Sequence, residues 1–182
     1  MIFLTETILT SINNEAMLTP ELFLEAANII ANDIEKVIDE KNIDKKDIQM
    51  IGIARGGIPL MVAVSHRTGV RYCSSIQFQM NKSDNKNDYG KTQYINGEID
   101  SDKKYYFVFE DIIYKGNTIN LLFDMLSEKN KKILSVYSLV SDYNFEKDKA
   151  FKYDTNIIKT CYQITADDWV YFFWEKGFIR WK

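Results

Sequence analysis

A chain of 182 residues, with 46% hydrophobic and 27% charged residues, can bury one core, and its 8 Gly and 2 Pro exclude a low-complexity segment. The net charge of -3 argues against a nucleic-acid partner, because domains that contact phosphate backbones usually carry a basic surface. The length fits one domain over residues 1–182. No apolar run reaches the roughly 18 residues that a membrane span needs, so we expect no membrane attachment.

Hydrophobic periodicity predicts alternating helices and strands. Thr19 can cap a helix and Pro20 suits its first turn, whereas Gly69 suits a helix end. In chain order the predicted elements are a helix from Pro20 to about Glu40, a strand at 48–54, a helix at 58–67, and strands at 71–79 and 105–109, then a helix at 119–129 and a strand at 133–140. This alternation is typical of an α/β fold, with a mostly parallel sheet flanked by helices.

The polar stretch 81–97 interrupts this pattern, and it predicts either a mobile loop or a loose hairpin. A long polar segment inside a compact domain is usually functional or disordered. Parallel sheets bind ligands beyond the carboxyl ends of their strands. The predicted strand 48–54 is followed by residues 55–57, and the predicted strand 105–109 is followed by Glu110 and Asp111. We therefore expect a binding site at these two strand ends.

The two cysteines, Cys73 and Cys161, lie far apart in the sequence and fit neither a clustered zinc site nor a disulfide-rich scaffold. We expect both to be free thiols in a reducing compartment. Residues 1–6 lack the basic start and the small-residue cleavage site of a signal peptide. These features predict a cytoplasmic protein.

The segment 107–120 combines an acid pair with the start of a helix. Adjacent carboxylates at the end of a buried strand are costly unless their charge is offset, and Mg²⁺ or a pair of sugar hydroxyls would do this. Lys115 and Thr118 then lead into a helix whose free amides suit a phosphate group. A plain strand, turn and helix with solvated acids is the alternative.

Residues 107–118 resemble the motif with which type I phosphoribosyltransferases bind phosphoribosyl pyrophosphate (PRPP). The motif consists of an apolar strand, two acids, two aliphatic residues, a short loop, Gly and then Thr. The resemblance implies that Glu110 and Asp111 bind the ribose hydroxyls, directly or through Mg²⁺. It also implies that the loop binds the 5-phosphate through Tyr114, Lys115, Gly116, Asn117 and Thr118.

A second segment, 51–59, looks like the pyrophosphate loop of the same family. The resemblance implies that Arg55 and Gly56 contact the pyrophosphate of PRPP. Gly lets the backbone approach phosphate closely, and Arg offers several donors that suit it. The alternative is a simple turn between a strand and a helix.

A third segment, 168–175, resembles the hood of the xanthine-guanine (6-oxopurine) branch, and we expect a small C-terminal hood formed mainly by about 150–182. The resemblance implies that Trp169 stacks on a purine and that the backbone of Val170 contacts the edge of the base. It further implies that Glu175, together with Asp111, holds Mg²⁺ near pyrophosphate. An aromatic cluster that simply packs in the core is the alternative.

Three positions depart from the pattern of the family. Purine members carry an Asp that faces N7 of the base where this chain has Tyr114, and a tyrosine with an ordinary pKa of about 10 is not an anionic base at neutral pH. A Lys of the purine branch has no clear match around 140–142, although lysines follow within 147–152. Lys115 replaces a small hydroxyl residue. These departures leave the acceptor base open.

The resemblance implies an enzyme that transfers the 5-phosphoribosyl group from PRPP to a nucleobase, such as xanthine, guanine or hypoxanthine, and releases pyrophosphate. Glu110, Asp111 and Tyr114 are the predicted catalytic residues, and Mg²⁺ is the predicted cofactor. A PRPP- or nucleotide-binding regulator that has lost turnover is the alternative. Purine members of the family commonly form dimers or tetramers, so a homodimer or homotetramer is an expectation.

Overall fold

The computed structural model describes residues 1–9, 11–12, 15–82, 89–114, 116–127, 131–142, 154–164 and 169–175. The strands are β1 (Ile2–Phe3), β2 (Ser11–Ile12), β3 (Glu15–Leu18), β4 (Ile48–Ala54), β5 (Cys73–Lys82), β6 (Tyr89–Gly97), β7 (Tyr105–Ile113), β8 (Lys132–Asp142), β9 (Ile158–Ile164) and β10 (Trp169–Phe172). The helices are α1 (Pro20–Glu40), α2 (Gly57–Thr68) and α3 (Asn117–Ser127), with short 3-10 turns at Lys45–Asp47 and Thr155–Ile157.

Seven strands form the main sheet in the order β1-β9-β8-β7-β4-β5-β6. All neighbouring pairs are parallel except β5 and β6, which form an antiparallel hairpin. The predicted α/β fold with a mostly parallel sheet is confirmed. The hairpin alternative for 81–97 is also confirmed, as far as the structure describes this segment.

Helices cover both faces of this sheet, which explains why its central strands are mostly apolar. α1 and α2 pack on the face that carries Met50 and Phe107, and α3 packs on the face that carries Ile51 and Val108. Successive residues of a strand point to opposite faces, so β4 and β7 must be hydrophobic on both sides. The sheet therefore places the ends of β4 and β7 next to each other at its centre.

The predicted boundaries of α1 and α2 agree with the structure to within one residue because the capping residues act locally, whereas α3 begins at Asn117, two residues before the predicted start at 119. The hydroxyl of Thr19 accepts a hydrogen bond from the amide of Leu22 at the start of α1. Gly69 ends α2 with a φ of 69°, in the left-handed region that glycine adopts without steric cost. None of the described helices is long and apolar enough to span a membrane.

A second, three-stranded sheet has the order β10-β3-β2. Its strand β10 comes from the segment predicted to form the hood, and it pairs in parallel with β3 near the N-terminus, with Trp169 opposite Glu15. β9 also lies within 150–182 but belongs to the main sheet. The described residues of this segment therefore divide between two sheets, and the hood itself stays a prediction.

A mostly buried polar cluster joins α1 to β8 and β9. The carboxylate of Asp33 accepts a hydrogen bond of 2.6 Å from the hydroxyl of Tyr137 and one of 2.5 Å from the ammonium group of Lys159. The side chains of Lys159 and Asp33 are only 13% and 21% exposed. Burial and the neighbouring Asp33 raise the pKa of Tyr137, so its hydroxyl stays protonated and donates. The cluster attaches the helix to the sheet.

Replacing Asp33 should destabilise the fold, because the charge of Lys159 and the hydroxyl of Tyr137 would remain buried without their acceptor. We expect Asp33→Ala to lower the free energy of unfolding by about 3 kcal/mol, which lowers Tm by roughly 6–12 °C. Glu40→Ala is the matched control on the same helix, since it removes the ion pair of Glu40 with Lys36, whose side chains are 61% and 71% exposed. Equal Tm values for the two variants in thermal unfolding would contradict the role of the cluster.

Candidate functional site

A cleft of about 880 Å³ lies at the carboxyl ends of β4 and β7. It brings together residues from the three sequence segments singled out above and from the β5–β6 hairpin. The lining residues are Ile53, Ala54, Arg55, Gly56, Phe78, Thr92, Glu110, Asp111, Thr118, Trp169, Tyr171, Trp174 and Glu175. Segments far apart in sequence therefore converge where a parallel sheet is expected to bind its ligand.

Two glycines allow the loop after β4 to pack directly on the end of β7. A Cβ atom on Gly56 would lie 1.7 Å from Oδ2 of Asp111, and one on Gly57 would lie 2.1 Å from the carbonyl oxygen of Phe109. Both distances are far below any contact that a real side chain could make. The peptide bond between Ala54 and Arg55 in this loop is cis. The loop backbone and the carboxylate of Asp111 are thus held side by side.

The cleft also presents donors that suit an anion. The guanidinium group of Arg55 is exposed and has no hydrogen-bond or ion-pair partner among the described residues. Gly116 has a φ of 69° and its carbonyl oxygen accepts from the amide of Asn120, so it turns the chain into α3. The amides of Asn117 and Thr118 lie in the first turn of α3, where backbone N–H groups have no partner within the helix.

The two carboxyl groups at the end of β7 lie in different environments. Asp111 is half-buried and accepts a hydrogen bond of 2.8 Å from the amide of Ile112. Glu110 is only 9% exposed, and its Oε1 accepts a bond of 3.3 Å from the amide of Asp111. Burial, followed by the charge of Asp111 and the hydrogen bond to its side chain, raises the pKa of Glu110 well above the ordinary value. The shift favours the neutral acid at Glu110.

β10 presents an aromatic wall to the cleft because its side chains alternate between two faces. Trp169 and Tyr171 line the cleft, with their ring centroids 6.5 Å apart in an edge arrangement. The side chain of Val170 between them is buried in the core. Trp169 is 64% exposed, which leaves its ring free to stack on a planar ligand.

Glu175 lies at the end of this wall, in a turn that fixes its position. Its carboxylate accepts a hydrogen bond of 3.1 Å from the amide of Phe172, and its own amide donates one of 2.8 Å to the carbonyl oxygen of Phe172. Glu175 and Asp111 line the same cleft. Among the residues that the structure describes there is no group of three or more His, Cys, Asp or Glu that could hold a metal ion.

The two predicted Mg²⁺ ligands, Asp111 and Glu175, both border the cleft, and their donor atoms are of the kind that this ion prefers. This ion keeps several waters and usually binds through one or two carboxylates together with phosphate oxygens of a substrate, so no larger protein cage is needed. Asp111 and Glu175 would be its protein ligands.

Some predicted site residues do not line the cleft. Tyr114 is 38% exposed but is not among the lining residues. Gly116, Asn117 and Val170 do not line the cleft either. Lys115 lies outside the described residues. Six residues line the cleft without having been predicted as site residues, namely Ile53, Ala54, Phe78, Thr92, Tyr171 and Trp174. Period-two alternation from Trp169 could have identified Tyr171, whereas the two hairpin residues carry no local signal.

The raised pKa of Glu110 predicts a pH-dependent difference in stability. The raised pKa means that the folded state binds the proton of Glu110 more tightly than the unfolded chain does. This difference stabilises the folded state fully below the ordinary pKa of 4.5, and the stabilisation is lost as the pH rises through the pKa of the folded state. Glu110→Gln cannot ionise. We therefore expect its free energy of unfolding, relative to the wild type, to increase from about pH 4 to about pH 8 in urea titrations. A difference that stays constant over this range would contradict the prediction.

Comparison with known proteins identifies the family. The sequence model of the phosphoribosyl transferase domain family matches residues 21–177. None of the curated proteins is detectably similar in sequence. A purine phosphoribosyltransferase from Pyrococcus horikoshii Ot3 has a similar structure, with a TM-score of 0.65, 18% identity, and coverage of 90% of this chain and 95% of that one.

Two further solved structures share the fold. The xanthine-guanine-hypoxanthine phosphoribosyltransferase of Helicobacter pylori has a TM-score of 0.64 and 19% identity, with 91% of this chain and 97% of that one covered. A hypothetical protein from Neisseria gonorrhoeae with bound ppGpp has a TM-score of 0.67 and 15% identity, with 91% and 92% covered. At these identities the likeness concerns the fold, and the family assignment depends on the match over residues 21–177. The chain belongs to the phosphoribosyltransferase family of enzymes.

Proposed function

We propose that the protein transfers the 5-phosphoribosyl group from PRPP to a purine base, such as xanthine, guanine or hypoxanthine, and releases pyrophosphate. The observation that carries this proposal is the composition of the cleft. A glycine loop with Arg55, the acid pair at Glu110 and Asp111, the first turn of α3 with Thr118 and the exposed ring of Trp169 all border it. These groups suit, in turn, pyrophosphate, a sugar, a phosphate group and a planar base.

The sugar phosphate would bind at the end of β7 and the start of α3. Amides in the first turn of α3 and the hydroxyl of Thr118 donate to the 5-phosphate. The carboxylate of Asp111 accepts hydrogen bonds from the ribose hydroxyls, and Glu110, beneath it, lines the same cleft. Held by Asp111 on one side and by the first turn of α3 on the other, the sugar would present its C1 atom to the rest of the cleft.

The reaction breaks the bond between C1 and the pyrophosphate oxygen while a ring nitrogen of the base forms a bond to C1 and gives up its proton, which passes to the released pyrophosphate or to solvent. The electron pair of the broken bond leaves with pyrophosphate, and positive charge develops on the ribose. Arg55 and the amides of the glycine loop stabilise the negative charge of the leaving group. When bound, Mg²⁺ would neutralise further charge on pyrophosphate, and Asp111 and Glu175 are the residues that would hold it.

The base would stack on Trp169, and the backbone of Val170 would contact its edge. Tyr114 follows the motif where purine enzymes carry an Asp, so in this proposal it contributes a hydrogen bond and no negative charge, since an ordinary tyrosine has a pKa of about 10. The exposed position of Tyr114 outside the cleft lining is the observation that favours the alternative, a PRPP- or nucleotide-binding regulator without turnover.

An assay of pyrophosphate release from PRPP, with Mg²⁺ and a panel of purine and pyrimidine bases, tests the proposed function. We expect release with at least one 6-oxopurine and none with pyrimidines. We expect Asp111→Asn to lower kcat/KM by roughly 10²–10³-fold, because it keeps an acceptor for the amide of Ile112 but loses the charge. Tm should change by only a few degrees. Tight PRPP binding without release for any base would favour the regulator, and full activity of Asp111→Asn would refute the role of that residue.

The close packing of Gly56 on Asp111 gives a second prediction. In Gly56→Ala the new methyl group overlaps the carboxylate, so either the loop or the acid must move. We expect kcat/KM to fall by about 100-fold or more, since a misplacement of about 1 Å can have an effect of this size. The measurement is steady-state kinetics in PRPP.

Gly69→Ala is the matched control for this variant. It adds a methyl group at a positive φ of 69° with no atom within 4 Å, so it should lose about 1 kcal/mol of stability and keep its activity. Equal kcat/KM values for the two variants would mean that the approach of the loop to Asp111 has no part in substrate binding.

A further inference from the structure

Thr92 on β6 has an unsatisfied hydroxyl group. Its Oγ1 atom exposes less than 1 Å² to solvent and has no hydrogen-bond partner among the residues that the structure describes. Buried hydroxyl groups in folded proteins nearly always have a partner, so an exception calls for a physical reason. Two other hydroxyls in the described part of the chain share this property, those of Ser138 and Ser141 on β8, but only Thr92 lines the cleft.

The position of β6 relates Thr92 to the helix that begins at the cleft. β6 pairs with β5, where Thr92 lies opposite Met80, and it packs against α3. Thr118 lies in the first turn of α3 and lines the same cleft. Thr92 and Thr118 therefore line one cleft, and the strand that carries Thr92 packs against the helix that carries Thr118.

The hydroxyl can reach a ligand without losing a bond. Oγ1 exposes almost no surface, so other atoms of Thr92 form its part of the cleft wall. Rotation about the Cα–Cβ bond to another staggered rotamer moves the methyl group into the position of the hydroxyl, while the hydroxyl takes the position of the Cβ hydrogen atom. This rotation breaks no hydrogen bond, places the apolar methyl group in the buried position and frees the hydroxyl to donate. A charged phosphate oxygen is a stronger acceptor for it than a neutral group.

We propose that Thr92 is a further substrate-contacting residue, whose hydroxyl donates a hydrogen bond to an oxygen of the phosphate group held at the start of α3. This inference rests on the proposed function and adds to it a contact from the β5–β6 hairpin. Thr92 thus contacts the phosphate of the ribose 5-phosphate moiety and not the pyrophosphate beside Arg55.

Two variants and three ligands test this contact. Thr92→Val removes the hydroxyl and keeps the shape, whereas Thr92→Ser keeps the hydroxyl. Calorimetry measures the binding of PRPP, ribose 5-phosphate and inorganic pyrophosphate in the presence of Mg²⁺. We expect Thr92→Val to raise the Kd for PRPP and ribose 5-phosphate about tenfold and to leave that for pyrophosphate within about twofold. Thr92→Ser should bind all three ligands like the wild type.

The stability of the ligand-free variants separates this contact from a structural role. Removing an unpaired buried hydroxyl relieves its desolvation cost, so Tm of Thr92→Val should equal or exceed that of the wild type. Tyr94→Phe is the matched control on the same strand. The hydroxyl that it removes donates a hydrogen bond to the carbonyl oxygen of Gly97, and Tyr94 does not line the cleft. Its affinity for PRPP should be unchanged.

Three results would overturn the inference. These are an unchanged affinity of Thr92→Val for ribose 5-phosphate, an equal loss in Thr92→Val and Thr92→Ser, or a loss that is largest for pyrophosphate. The proposed function fails separately, if the wild type releases no pyrophosphate from PRPP with any base. In that case the binding of ribose 5-phosphate to the wild type and to Thr92→Val still decides the role of Thr92.

Discussion

The contact between the glycine loop and the end of β7 is the constraint on which the site depends. No side chain fits between Gly56 and the carboxylate of Asp111, or between Gly57 and the carbonyl oxygen of Phe109. The backbone of the loop approaches a side-chain carboxylate at Gly56 and a backbone carbonyl group at Gly57, because neither glycine has a Cβ atom that would separate them. The contact places the guanidinium group of Arg55, which has no partner in the described part of the chain, beside an acid pair. A group that suits pyrophosphate is thus next to one that suits a sugar.

The interior supports β7 from the opposite direction. The ring of Tyr137 stacks on that of Phe109 with centroids 5.8 Å apart, and the hydroxyl of Tyr137 donates to Asp33 on α1. Phe109 directly precedes the acid pair and its carbonyl oxygen meets Gly57. A chain of contacts thus runs from α1 through the core to the cleft. The position of the carboxyl groups is determined by packing beneath them as well as by the loop beside them.

Elements with strong local signals were predictable, and those that depend on distant partners were not. The strand 48–54 and the start of α1 at Pro20 agree with the structure, since burial on both faces and a capping residue leave marks in the sequence. β1, β2 and β3 have only two to four residues and form by pairing with remote segments. The site follows the same division. Contiguous motifs were found, but Phe78 and Thr92 come to the cleft through the hairpin, which no motif marks.

The electrostatics of the cleft follow from these positions. A substrate that carries several phosphate groups is repelled by carboxylates, and two charged acids at the end of β7 would oppose its binding. Burial of Glu110 favours its neutral form and reduces this repulsion. Asp111 can then accept from sugar hydroxyls without a second adjacent negative charge. The same strand that buries Glu110 for reasons of packing therefore adapts the site to an anionic ligand.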